Sequence, residues 1–222
     1  MTELVDTAKV QDDQLRSKRA KRIWTAVGLI IIIILGGIAL IATGTWQIGP
    51  PEFHGMVIQA PQPANNFTLY GADDQPISLR DFRGKTVLLY FGYTFCPDVC
   101  PATMVELKQM MADLGNDAEN VQVIMISVDP ERDTPASLQD YVSHFHPSFI
   151  GLTGHNEDEV LAVTTPLGVF YEKHEGTAAS GYLIDHTATV SVIDKEGYLR
   201  LVYPFGVTGS EMAADLRYII RD

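Results

Sequence analysis

The most apolar stretch of the chain is also one of its first. Residues 23–42 run for 20 positions without a charge and include an unbroken isoleucine-rich run at 30–34. At about 1.5 Å of helical rise per residue the stretch reaches roughly 30 Å, the thickness of a bilayer's hydrocarbon core. Beyond it, apolar positions come in short runs and helical stripes. Residues 86–91 and 121–128 are continuous apolar runs of β type, expected of strands covered on both faces. Met104, Leu107, Met111 and Leu114 recur at helical spacing within 102–114, the pattern of a helix packing its methionines into a core. Thr134 caps a second helix with Pro135 at its first position, turning Leu138, Tyr141, Val142 and Phe145 inward. Residues 149–152 predict a short strand. Asn156 or the residue before it opens a third helix that reaches about Thr165. Around the turn 71–74, residues 67–70 and 76–79 predict a hairpin, and 187–193 with 198–203 predict another around 194–197. Residues 168–173 predict a strand, 176–181 a glycine-bearing loop, and Gly209 or Ser210 opens a last helix with Met212, Leu216, Ile219 and Ile220 apolar.

The order is hairpin, β-α-β-α-β-α, hairpin, α. That predicts an α/β fold, a thioredoxin-like sandwich with an N-terminal β-hairpin and an inserted element, preceded by one transmembrane helix. The expected organisation is a polar cytoplasmic tail over 1–22, a transmembrane anchor over 23–46, a linker over 47–64 and the thioredoxin-like domain over 65–222. The linker reading rests on Pro50, Pro51, Pro61 and Pro63 with Gly44, Gly49 and Gly55, and allows at most a short strand at 56–59.

Charge orients this plan. The formal net charge is −12, but the first 22 residues carry six Lys/Arg against four Asp/Glu, a net of +2, which leaves −14 on the rest. An acidic body lacks the basic footprint of a nucleic-acid binder and suits a basic partner. Five basic residues between Arg16 and Arg22 precede the apolar stretch, and Trp24 and Trp46 sit near its two ends. The positive-inside rule then puts the N-terminus in the cytoplasm and the body outside, anchored to the cytoplasmic (inner) membrane by a single pass with its domain periplasmic. A cleaved signal peptide fits less well, because the apolar run exceeds the roughly 7–15 residues of a signal core and no A-x-A site follows.

An extracytoplasmic body changes how its two cysteines read. Cys96 and Cys100 are the only ones in the chain, each followed by proline. Outside the cytoplasm cysteine pairs tend to oxidise, yet a disulfide here would close a loop of about five residues and remove little unfolded-state entropy. Reactivity is the better account of the pair than stapling. Pro97 and Pro101 disfavour helical backbone at the residue before each, so Pro101 is expected as the first helical residue with Cys100 near the N-cap. Helix-start amides then face both sulfurs and favour thiolate, which is both nucleophile and metal ligand. Two thiolates bind a soft ion incompletely, and imidazole is the usual neutral third donor. Of six histidines, His54 falls in the linker, His144 and His146 read as a surface pair at a helix end, His155 as a loop residue, and His174 heads the flexible loop. His186 precedes the late hairpin, where a thioredoxin-like fold passes its chain beside the cysteine loop and normally places a cis-proline. No proline is there, and His186 is the expected third ligand.

Four stretches together resemble the SCO/SenC family: residues 90–101 around the cysteines, 127–135 (Ser-Val-Asp-Pro-Glu-Arg-Asp-Thr-Pro), 149–154 and Asp185-His-Thr187. These are membrane-anchored copper proteins of cytochrome c oxidase assembly. The resemblance covers residue 65 to the C-terminus. It implies that Cys96, Cys100 and His186 bind copper, as Cu(I) or Cu(II), and that the domain delivers copper to, or prepares, the binuclear copper site of oxidase subunit II. Expected partners are that subunit, another periplasmic copper chaperone, and the membrane; nucleic acid is not among them. The alternative is a thiol–disulfide oxidoreductase acting through Cys96 and Cys100 to keep the oxidase cysteines reduced, so the chain is expected to be mainly a metallochaperone, with enzymatic reductase activity as the second possibility. The spacing C-x-x-x-C rather than C-x-x-C weakens a general redox role, and a peroxidase lacks its threonine-to-cysteine signature. Phe95 departs from the family, where many members carry histidine before the first cysteine, and altered solvent access is the expected effect. Asp98 and Asp129 stand between two readings, assistants to Cu(II) or solvated turn residues.

Overall fold

The computed structural model describes residues 21–39, 52–176 and 181–221. The chain divides into two compact units, Met1–Pro51 and Glu52–Asp222. In the first, helix α1 (Lys21–Ala39) is long and apolar enough to cross a membrane, and its side chains are exposed. The expected tail up to residue 20, the end of the anchor, the linker up to residue 51 and most of the loop 176–181 lie outside the described residues.

The second unit is built on two strands that are buried along their whole length, β4 (Thr86–Gly92) and β5 (Val121–Ser127). Strands buried on both faces need helices on either side and a crossover between them. Helix α2 (Val99–Leu114) supplies it, so β4 and β5 lie parallel, Thr86 beside Val121 and Gly92 beside Ser127. A second crossover through α3 (Pro135–Ser143) adds the parallel strand β6 (Ile150–Leu152). On the other side of β4 the chain returns antiparallel as β9 (Val190–Ile193), then β10 (Leu199–Tyr203). With β1 (Met56–Val57) at the edge, the sheet order is β1-β10-β9-β4-β5-β6. Helix α5 (Gly209–Arg221) packs along α2. The expected hairpin forms as β2 (Thr68–Tyr70) and β3 (Pro76–Ser78), attached where Tyr70 bridges Thr153.

Three details depart from expectation. Residues 52–64 are not a free tether: β1 pairs with β10, Pro63 bridges Tyr198, and the Ala64 N–H donates to the Gly197 carbonyl at 2.9 Å. The buried Asp215 on α5 accepts the His54 N–H and faces His54 Nδ1, each at 2.9 Å. Prolines mark a chain that avoids helix, but they do not prevent an edge strand from docking. Second, α2 starts at Val99 with Asp98 at its N-cap, so Cys100 and Pro101 lie inside the first turn. Proline is tolerated there because first-turn amides have no intrahelical partner to lose. Third, the stretch before His186 is a strand. β8 (Tyr182–His186) pairs with β7 (Tyr171–Glu175) as a separate two-stranded sheet, inserted after α4 (Glu157–Thr164).

Candidate metal centre

The sheet brings the site together by its strand directions. β4 runs out through Gly92 into the cysteine loop, and β9, antiparallel to it with Val190 beside Tyr90, runs in from His186. Residues 86 positions apart therefore meet at one end of the sheet, where Cys100 Sγ lies 3.3 Å from His186 Nε2. The sulfurs of Cys96 and Cys100 and a nitrogen of His186 all lie within 4.8 Å of one another, the one such His/Cys/Asp/Glu group among the described residues.

The helix start sets the chemistry of the two thiols. Asp98 makes no side-chain cap, and the Cys100 N–H donates instead to Cys96 Sγ at 3.4 Å. Cys96 is half-buried and Cys100 fully buried, and neither is in a disulfide. A hydrogen bond from the Cys100 thiol, reinforced by His186 and then by the helix-start amides, holds Cys96 far below the usual thiol range, at about 3, against the opposing effect of burial. The same contact and burial push Cys100 up. The pair is thus one thiolate and one thiol sharing a proton. Gly92 makes room for this: a Cβ there would lie 2.8 Å from Cys100 Sγ and 3.1 Å from the Tyr90 ring.

His186 is held between aromatic edges, with Tyr90 and Tyr93 both T-shaped to it at centroid distances of 6.3 and 6.0 Å. Its Nδ1 lies 3.4 Å from the Thr187 carbonyl. A carbonyl can only accept, so it favours the proton on Nδ1 and leaves the Nε2 lone pair facing the sulfurs. Two sulfurs and an imidazole nitrogen then converge, a donor set that a soft cation completes once the Cys100 thiol has given up its proton. The donor set S₂N fits Cu(I) by softness and number.

A polar turn at the end of β5 supports both sides. Asp133 accepts from the Thr94 N–H at 3.0 Å, the Thr94 hydroxyl at 2.5 Å and the Ser127 hydroxyl at 2.6 Å, fixing the start of the cysteine loop. Asp129 is fully buried, ion-paired to Arg132 Nε at 2.5 Å and accepting from the Tyr182 hydroxyl at 2.6 Å. It is neither a solvated turn residue nor directed at the sulfurs. Asp98 is exposed and lines the cleft with Cys96, Pro97, Ile184 and His186. Phe95 is also exposed, its ring 4.8 Å from the Arg132 guanidinium.

The remaining histidines lie elsewhere. His54 is on Asp215, His155 stacks on Tyr70 at 3.7 Å and meets Asp74, and His174 meets Asp185. His144 binds the Asp140 carbonyl and His146 the Ser148 hydroxyl. What sequence reasoning missed is the surroundings of the site: Tyr90 and Tyr93 against His186, Asp133 on the cysteine loop, and Arg132 on Tyr182. The motif at 127–135 marked the place of Arg132 and Asp133 but not their partners.

Comparison with known proteins gives a consistent picture. A sequence profile described as SCO1/SenC matches residues 57–221. The chain is 36% identical over 140 residues to an SCO2-like protein of Rickettsia felis, covering 62% of this chain and 68% of that one. Apo Sco1 of Thermus thermophilus superposes with a TM-score of 0.67 at 43% identity, covering 75% of this chain and 96% of that structure. ScoI of Bradyrhizobium japonicum, solved with copper bound, gives 0.64 at 37%, covering 71% and 99%.

Proposed function

Because the chain belongs to the SCO1/SenC family, we propose that it is a membrane-anchored copper carrier of cytochrome c oxidase assembly. Cys96, Cys100 and His186 hold the ion, and its destination is the binuclear copper site of oxidase subunit II. The observation that carries this reading is the convergence of two sulfurs and an imidazole within 4.8 Å. Copper is cargo here, and the residues provide soft, deprotonated donors for it. Cys96 is already a thiolate, and Cys100 gives up its proton on binding. A single apolar helix preceded by basic residues supports an inner-membrane anchor with the copper unit on the periplasmic side.

Anaerobic competition for Cu(I), with X-ray absorption to count sulfur and nitrogen donors, tests the reading. His186→Ala is expected to weaken Cu(I) binding by more than the roughly 10–100-fold that loss of an outer-shell partner costs. It is also expected to remove the nitrogen donor while leaving both thiols titratable. Wild-type affinity in that variant sinks the three-ligand site. A second reading, thiol–disulfide exchange on the oxidase cysteines, is favoured by one feature, a free pair with a half-exposed thiolate beside a buried thiol. If His186→Ala supports oxidase assembly as well as wild type, exchange is the working activity and carriage is not.

A further inference from the structure

The hairpin that carries His186 belongs to no larger sheet. β7 and β8 pair only with each other, and no ladder among the described residues ties them to β9 or β4. The pairing of β9 with β4 brings the chain past the cysteine loop, but no ladder to the main sheet holds the hairpin that ends in His186, and its setting depends on side chains as well. Those side chains converge on the turn 129–133. The Arg132 guanidinium lies 3.6 Å from the Tyr182 ring centroid, and its Nη1 donates to the Tyr182 carbonyl at 3.0 Å. The Tyr182 hydroxyl donates to Asp129, which pairs with Arg132 on the other side. Lys173 on β7 reaches Glu131 at 2.8 Å. The guanidinium also lies 5.6 Å from the Tyr93 ring centroid, and the Tyr93 hydroxyl accepts the Ile184 N–H at 3.1 Å. Arg132 thus touches both the hairpin strand and Tyr93, one of the two aromatics that flank His186. Its neighbour Asp133 holds the cysteine loop.

We propose that Arg132 is a positioning residue for His186: by stacking on Tyr182 and binding its carbonyl, it sets the β7–β8 hairpin so that Nε2 meets the two sulfurs. The planar fork matters as much as the charge. A guanidinium can stack on an aromatic face while donating in its own plane, and an ammonium cannot. This rests on the reading of Cys96, Cys100 and His186 as the copper site.

The test is a double-mutant cycle on the full chain in detergent, with Cu(I) alone as the probe against a competing chelator. Arg132→Gln is expected to weaken Cu(I) binding about 10–100-fold when His186 is present. In the His186→Ala background it is expected to change binding by less than about twofold, because its effect passes through the imidazole. An equal loss in both backgrounds, or no loss in either, overturns the proposal. Arg132→Lys keeps the cation beside Asp129 and so guards against a variant that fails to fold. It is expected to show the same dependence on His186 and to lose nitrogen in X-ray absorption. Hydrogen exchange at the Ile184 amide in the copper-free chain gives an independent readout. Faster exchange in the Arg132 variants, with the amides of β4 and β5 unchanged, is the expected result, and unaltered protection at Ile184 overturns the proposal. Should the wild-type chain bind no Cu(I), the function reading falls, and the exchange measurement still decides the role of Arg132.

Discussion

Cys96 and Cys100 are the same residue type four positions apart, yet the fold makes one a half-exposed thiolate and the other a buried thiol. The asymmetry has a measurable consequence. An ordinary thiol loses alkylation rate about tenfold per pH unit below its pKa, near 8.5. Cys96, held at about 3, is expected to react with iodoacetamide at a nearly constant rate between about pH 8 and pH 5. Its thiolate stabilises the fold fully above the ordinary thiol value of about 8.5; that contribution declines as pH falls below it and is gone once pH passes the lowered value. Mass spectrometry of quenched samples would resolve the two cysteines; a rate at Cys96 that drops tenfold per unit through this range would contradict the hydrogen-bonded thiolate. That Cys96, Cys100 and His186 meet was legible in the sequence, because few residue types suit a soft metal and a third donor was expected from a chain passing the cysteine loop. Asp129 and Arg132 were not legible in the same way. A charged residue in a loop reads as solvated until the fold shows that it is buried against a ring 53 positions away.

At the scale of elements, the apolar runs 86–91 and 121–128 announced β4 and β5 because strands buried on both faces have no polar alternation to confuse them. β8 was hidden for the opposite reason. Tyr182–His186 is half-exposed, short and paired with a single neighbour, so its pattern is set by side-chain contacts rather than by a core. β1 falls within the short strand allowed at 56–59; what the flanking prolines hid was its docking on β10. Its attachment carries a pH dependence whose direction follows from Asp215. The hydrogen bond from His54 to that buried carboxylate raises the imidazole pKa. The folded state therefore favours the protonated ring. The added stability is full below the ordinary value of about 6.5 and is lost as pH rises through the raised one. Exchange at the Ile58 amide, which donates to the Arg200 carbonyl at 2.9 Å, is expected to accelerate above neutrality beyond its intrinsic pH dependence. Asp215→Asn should remove that excess. An excess that persists in the variant would place the pH sensitivity elsewhere.

At the scale of the whole molecule, the order of elements was readable because each α/β crossover has one allowed hand and one parallel outcome. The separation of one hairpin from the main sheet was not, since nothing in an alternating pattern says which edge a strand will find. The distance in sequence between the proposed ligands has a further consequence. Cys96 and Cys100 stay neighbours in an unfolded chain and can hold a copper ion there, whereas His186 is 86 residues from Cys100. Closing so long a loop costs an unfolded chain about 4–5 kcal/mol, against about 2 for the short span between the cysteines. A ligand stabilises a fold only by the affinity that the unfolded chain lacks. One equivalent of Cu(I) is therefore expected to raise the melting temperature of the wild-type chain clearly and that of His186→Ala little, as scanning calorimetry under anaerobic conditions would show. Equal shifts would mean that the imidazole adds nothing to the loaded state. In the cell the loaded and empty chains would then differ in lifetime, with proteases drawing preferentially on the empty one.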